Sequence, residues 1–246
     1  MSFEHPNRNN ESMRDVELDI MSRPPEHNTT NLDLDRMNLM LDILGHPEQS
    51  FRVIHITGTN GKGSTARMAE AICRAYGMRT GLYTSPHLEK INERIAIDGQ
   101  QLSDDDFIDI WDQTKDLVAL VDAKMEEQGK PKMSFFEVLT AMAIWKFADT
   151  PVDVAIVEVG MGGLWDATNV LNADAAIIGP VDMDHIKKKS SGWATPSNRS
   201  PPRRPASSSR TAPPSSARSR MRKPSCRFSP KPPNATTPCS CATATK

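Results

Sequence analysis

Apolar positions along the chain change their period several times, and each change predicts an element. Leu34, Met37, Leu41 and Leu44 recur at helical spacing within Leu32–Leu44, and Gly45 and Pro47 end that helix. Val53, Ile54 and Ile56 form a short apolar run that stops at Gly58-Thr59-Asn60-Gly61-Lys62-Gly63-Ser64, which reads as a strand entering a glycine-rich turn. A helix follows from about Lys62 to Tyr76 and stops at Gly77. Thr80–Tyr83 reads as a second short strand leading into Thr84-Ser85-Pro86-His87, and Arg94–Ile97 as another, with Asp98-Gly99 as a turn. Ser103 opens a helix whose first turn holds Asp104, Asp105 and Asp106, the sign that a helix N-terminus favours. Ser134 and Glu137 form a capping box for a helix running to about Ala148. Val152–Val159 is a buried-strand run ending at Gly160-Met161-Gly162-Gly163, and Ala175–Ile178 is a further strong apolar run.

Strands alternating with helices predict an α/β fold, a P-loop-type, mainly parallel sheet with helices on both faces. Ligands of such sheets collect at the carboxyl ends of the strands. The glycine turn, the Ser85 loop, Glu158 and Asp184-His185 all fall at such ends, so one sheet can gather them into one site.

Composition divides the chain. All acidic residues lie at or before Asp184, whereas Lys187–Lys246 carries 14 Lys/Arg, 11 of the 19 prolines and no Leu, Ile or Val. With 16 basic and 31 acidic residues the body has a net charge of −15, against +14 for the tail. Such a tail cannot bury enough apolar surface to order itself. Residues 1–30 are polar and are expected to be poorly ordered; residues 31–186 form the folded domain. No run of about 18 apolar residues occurs and the N-terminus lacks the apolar stretch of a secretory signal, which predicts a cytoplasmic protein without membrane partners. The four cysteines form neither a disulfide framework nor a metal-finger spacing.

The tail admits two accounts. One is a disordered basic arm that binds RNA. The other is a shifted reading frame. With GC-rich codons, Trp193–Ser208 read one nucleotide earlier gives L-G-D-T-I-E-Q-I-A-A-E-K-A-G-I-I, and two further windows become protein-like in the same frame. Lys187-Lys188-Lys189 marks an adenine run where a slip would occur. An intact single frame across codons 183–195 would sink the frameshift, which is otherwise favoured over nucleic-acid binding.

Strand, glycine turn with a lysine, then helix is how backbone amides gather around a phosphate. The turn is not a Walker A motif, since a glycine separates Lys62 from Ser64 and the loop is shorter; a purely structural turn is the alternative. Glu158, at a strand end before glycines, suits a magnesium ligand or a solvated acid. Taken alone, His185 reads more readily as a structural or surface histidine than as a ligand, Ser85-Pro86-His87 as a plain turn, and Phe135 and Phe136 as core.

Taken together, H-I-T-G-T-N-G-K-G-S, T-S-P-H-L, N-E-R-I, S-F-F-E-x-L-T, V-E-V-G-M-G-G-x-x-D-A-T-N and D-x-D-H, in this order from about Leu32 to Ile186, resemble folylpolyglutamate synthase/dihydrofolate synthase of the Mur ligase superfamily. The resemblance implies a Mur ligase central domain, a monomer, and an ATP- and magnesium-dependent reaction. ATP phosphorylates the carboxylate of folate or dihydropteroate, and the amine of L-glutamate displaces phosphate to form an amide. It implies that Gly58, Thr59, Asn60, Gly61, Lys62, Gly63, Ser64 and Thr65 hold the ATP phosphates, with Lys62 and the amides of Asn60 to Thr65 making the contacts. It further implies that Ser85 and Glu158 bind one magnesium, and that Glu158 and His185 bind a second near the reacting carboxylate. Lys62, Glu158 and His185 are thereby the catalytic set. His87, Arg94, Phe135 and Phe136 are implied as pteridine-side contacts, while Asp166, Thr168 and Asn169 fix the loop after the glycines. Two departures matter. The family's E-K-A-G lysine, which completes the second magnesium site, is missing from this frame, and so is its C-terminal glutamate ligase domain. The 246-residue product is therefore expected to be truncated and inactive. Another Mur-type amino-acid ligase and a non-catalytic nucleotide-binding fragment are the alternatives.

Overall fold

The computed structural model describes residues 12–25, 33–161 and 164–181. The chain divides into two units, residues 1–211 and 212–246, and every described residue belongs to the first. The expectations for the basic tail and for Asp184-His185 fall outside the described residues. Helices α1 (Met13–Met21), α2 (Asp35–Leu44), α3 (Lys62–Ala75), α4 (Asp104–Glu127) and α5 (Phe135–Asp149) surround one sheet. Its strands are β1 (Arg52–Thr57), β2 (Thr80–Tyr83), β3 (Ile95–Ile97), β4 (Gln100–Gln101), β5 (Val154–Glu158) and β6 (Ala175–Ile178), in the order β4-β3-β2-β5-β1-β6. Strands β2, β5, β1 and β6 are parallel; β3 and β4 fold back as an antiparallel border. Among the described residues no helix is long and apolar enough to cross a membrane.

Alternation along the strands sorts the two faces. Val53, Tyr83, Ala155 and Val157 join the large core beneath α1, α2, α4 and α5, while Ile56, Leu82, Val154 and Ile156 pack with Ala66 and Cys73 of α3. Each fully buried Val, Leu or Ile among them contributes about 1.5–3 kcal/mol. Helix α4 buries Phe107, Ile110, Trp111, Thr114, Val118, Val121 and Met125, one stripe at the 3.6-residue period. Helix α5 is buried almost all round, as a helix between the sheet and a second helical layer must be.

The N-terminal segment departs from expectation. Residues 13–21 form α1, opened by a capping box in which Ser12 and Asp15 satisfy each other's backbone N–H, with Val16 and Ile20 fully buried. A buried ion pair secures the same layer. Arg36 Nε of α2 lies 3.0 Å from both carboxylate oxygens of Glu137, and Glu137 Oε2 also accepts the Ser134 N–H at 2.7 Å. The capping residue of α5 is thus also its tether to α2.

Candidate functional site

The turn after β1 leaves helix donors uncommitted. Gly61 takes φ +79°, the left-handed region that glycine adopts without strain, and precedes α3 with no side-chain cap. The amides of Lys62, Gly63 and Ser64 are the first of α3 and have no carbonyl one turn earlier in the helix to bond. Thr65 and Thr59 differ: the Thr65 N–H donates to Gly61 O at 2.9 Å, and the Thr59 N–H to Pro180 O at 2.8 Å. Of the Asn60–Thr65 amides implied by resemblance, that of Thr65 is bonded within α3. A further bond, from Gly179 N–H to Thr57 O at 2.7 Å, ties the entrance of the turn to the segment after β6.

Glu158 ends β5 on the α3 side of the sheet. It is 3% exposed, and its Oε2 accepts the Ser85 N–H at 3.1 Å. Gly63 comes so close that a Cβ there would stand 3.3 Å from the same oxygen. Burial pushes the carboxyl pKa above its ordinary value, opposed by the Ser85 N–H and by the positive charges of Lys62, Arg67 and Arg94. Three of the expected elements, the glycine turn, Ser85 and Glu158, thus meet at the carboxyl ends of β1, β2 and β5. His185 lies outside the described residues.

The loop after Ser85 is held by Glu93. Its carboxylate accepts the N–H groups of Leu88, Glu89 and Lys90 at 2.8, 2.9 and 2.9 Å, and these bonds lower its pKa to about 2. Arg94 Nε donates to His87 Nδ1 at 2.9 Å, so the neutral imidazole keeps its proton on Nε2. Burial, then the Arg94 charge, lowers the His87 pKa. The Arg94 guanidinium lies 5.1 Å from the centre of the Phe135 ring, a cation–π contact. Phe136, by contrast, is 5% exposed and packs on Tyr83, ring centres 5.7 Å apart, in keeping with its alternative reading as core. That leaves His87, Arg94 and Phe135 as one interlocked group.

Beneath the site lies a network that sequence reading missed in part. Thr168 donates both its N–H and its hydroxyl to Asp166 Oδ1, while Asp166 Oδ2 accepts the Met161 N–H at 2.8 Å. Because the Thr168 hydroxyl proton is used there, buried His55 must donate from Nε2 across 2.7 Å to the Thr168 oxygen. Burial lowers the His55 pKa to about 4 and raises that of Asp166. Asp166 and Thr168 fix the post-β5 loop as expected. His55 joins them because it sits on β1 with its side chain toward the large core; its sequence signals were a polar residue between Ile54 and Ile56 and its place at the head of the H-I-T-G-T motif.

By fold the molecule is an α/β domain whose mostly parallel sheet brings a glycine turn, Ser85 and Glu158 together at its strand ends. No family model matches the chain. It is 49% identical over 180 residues to dihydrofolate synthase/folylpolyglutamate synthase of Mycobacterium tuberculosis, covering 71% of this chain and 36% of that protein. It is 40% identical over 159 residues to folylpolyglutamate synthase of Lacticaseibacillus casei, covering 63% and 36%. The crystal structure of Mycobacterium tuberculosis folylpolyglutamate synthase with ADP and AMPPCP superposes with a TM-score of 0.66 at 47% identity, over 73% of this chain and 38% of that one. The chain is a homologue of the dihydrofolate synthase/folylpolyglutamate synthase family, and it spans 36% of the length of each of these two curated relatives.

Proposed function

We propose that these residues form the nucleotide-phosphate site of an ATP-dependent C–N ligase that joins L-glutamate to a folate or dihydropteroate carboxylate in the cytoplasm. The contact of Glu158 with Gly63 and Ser85 carries the reading, because it sets a buried carboxylate against the one turn built to receive phosphate. A carboxylate is a poor acyl donor, since its leaving group is oxide; transfer of a phosphoryl group to it creates a leaving group that an amine displaces. Lys62 and the first amides of α3 offset the charge of the transferring phosphoryl group. Glu158 and Ser85 fit magnesium, which is held by one or two carboxylates together with waters and phosphate oxygens. Among the described residues no cluster of three His, Cys, Asp or Glu could hold a metal alone, so such an ion would lean on the nucleotide. Bound there, it would neutralise phosphate charge. His87, Arg94 and Phe135 form the wall toward the organic acid.

The missing E-K-A-G segment favours a second reading for the 246-residue polypeptide itself, nucleotide binding without ligation. Incubation with ATP, magnesium, L-glutamate and either dihydropteroate or tetrahydrofolate tests both. The expected result is ATP binding, abolished by Lys62→Ala with the melting temperature unchanged, and no glutamylated product by mass spectrometry. Product from a different acid would assign another ligase of the superfamily. Unaltered ATP binding by Lys62→Ala would remove the phosphate site.

A further inference from the structure

Strand β1 ends at Thr57, where the glycine turn begins, and two residues earlier it turns His55 into the large core. A histidine only 1% exposed inside a strand is a choice against stability. Its polar atoms give up water, and a β-branched apolar residue would pack there without that loss. What the histidine holds lies on the page. Its Nε2–H donates to the Thr168 hydroxyl oxygen at 2.7 Å, the Thr168 hydroxyl donates to Asp166 Oδ1, and Asp166 Oδ2 accepts the Met161 N–H at 2.8 Å. All three side chains are buried, and hydrogen bonds are stronger in such surroundings than in water.

Met161 follows Glu158 by three residues. Between them the Val159 N–H donates to Ile56 O at 2.9 Å, and Gly160 lies so close beneath the Phe136 ring that a Cβ there would stand 2.4 Å from it. The chain beyond Glu158 is therefore held to β1 twice, directly at Val159 and, through Asp166, Thr168 and His55, at Met161. Glu158 itself has little room to drift, with the Ser85 N–H on Oε2 and Gly63 pressed against the same oxygen. The strand that carries the glycine turn thus also sets where the strand carrying the carboxylate ends.

We propose that His55 and Thr168 are positioning residues for Glu158. With Asp166 they fix the Gly160–Met161 backbone against β1, and so keep the carboxylate at the distance from the glycine turn at which it serves a magnesium-bound nucleotide. The inference rests on the phosphate-site reading above and extends it to side chains on the opposite face of the sheet from that carboxylate.

Isothermal titration of the 246-residue chain with ATP, in magnesium and again in EDTA, tests this alongside thermal unfolding and hydrogen exchange at Met161. Thr168→Val keeps the shape and removes the hydroxyl; Thr168→Ser keeps the hydroxyl and removes a methyl. The valine variant should bind magnesium-ATP about tenfold more weakly, bind metal-free ATP as the wild type does, and exchange the Met161 amide faster, whereas the serine variant should match the wild type in all three. A residue needed only for packing gives the reverse order, because serine leaves a cavity that valine fills. His55→Leu should behave like Thr168→Val, and His55→Gln, whose amide can still donate, like Thr168→Ser. Val121→Ala, which removes buried methyl groups from α4, should lower the melting temperature and leave both affinities unaltered. Wild-type magnesium-ATP affinity in Thr168→Val, a serine variant as weak as the valine one, an equal loss with and without magnesium, or the same loss in Val121→Ala would each overturn the proposal. If the wild type itself shows no magnesium-dependent ATP binding, or Lys62→Ala leaves binding unaltered, the phosphate-site reading falls and takes this inference with it. Intact dependence on Lys62 with an indifferent Thr168→Val removes this inference alone.

Discussion

A methyl group added to Gly63 would stand 3.3 Å from Oε2 of Glu158, so any side chain at residue 63 presses on the carboxylate that ends β5. Gly63→Ala sets two effects against each other. Alanine is about 1 kcal/mol better than glycine within a helix. The new carbon nevertheless pushes the carboxylate away by a few tenths of an ångström. The expected outcome is an unchanged or higher melting temperature with magnesium-ATP affinity lowered roughly tenfold, about 1.4 kcal/mol. Isothermal titration alongside thermal unfolding reads both.

Glu158→Gln keeps the shape and removes the charge. Because burial raises the folded-state pKa of Glu158, the protein binds its proton more readily when folded than when unfolded. Stability from this group therefore falls as pH rises from the ordinary carboxylate value through the raised one. The glutamine variant should lack that fall and be more stable at neutral pH. It should also lose the magnesium dependence of nucleotide binding. A variant that is less stable at pH 7 and still magnesium-dependent would contradict this assignment.

His55 gives the opposite sign. Its pKa is about 4 when folded, against an ordinary 6.5. Stability is full above 6.5 and is lost as pH falls toward 4, because only the unfolded chain takes up the proton in that window. At about 1.4 kcal/mol per unit the loss is roughly 3 kcal/mol. Urea titrations at pH 7.5, 6, 5 and 4 should show this slope, and His55→Gln should flatten it.

The Glu93 clamp should persist to lower pH than any histidine contact. With its pKa lowered to about 2 by three backbone bonds, it holds the loop above the ordinary carboxylate range and releases it only as pH falls through about 2. Glu93→Gln places an amide where three N–H groups seek acceptors. Hydrogen exchange at Leu88, Glu89 and Lys90 should accelerate, while exchange in β5 stays slow.

Glu137→Gln should cost up to about 3–5 kcal/mol, since it removes the nearer counter-charge of buried Arg36 and leaves it the Asp33 carboxylate at 3.6 Å. Replacing both residues together, Arg36→Met with Glu137→Leu, should cost less than the two single losses added. Strict additivity in denaturant unfolding would show that the pair does not act as one unit.

What could be read from the sequence follows the range of the interactions. The borders of β2 and β6, the start of α3, and the caps at Ser103 and Ser134 depend on neighbours within a few residues, and the sequence displays them. Helix α1 was also visible in principle: Ser12 and Asp15 form its box, and Met13, Val16 and Ile20 its apolar stripe, overshadowed by the polar residues around them. The Arg36–Glu137 pair and the His55–Thr168 bond join residues 101 and 113 positions apart, and no local pattern records such a meeting. Ser85 and Glu158 could be assigned to one site because both follow strands. That Gly63 touches Glu158 depended on strand order, which periodicity does not encode. Strand order likewise set the apolar run of β6 beside β1, last among the described strands.

The Thr59 amide bonded to Pro180 and the Gly179 amide bonded to Thr57 give the glycine turn a back wall made from the segment after β6. A turn usually thought of as belonging to its strand and helix is here also suspended from a peptide far downstream. A one-residue insertion or deletion between Ile178 and Val181 would shift that suspension by about 3.3 Å, the rise of one strand residue. On the proposed phosphate site, such a change would loosen nucleotide binding although no residue of the turn itself had changed.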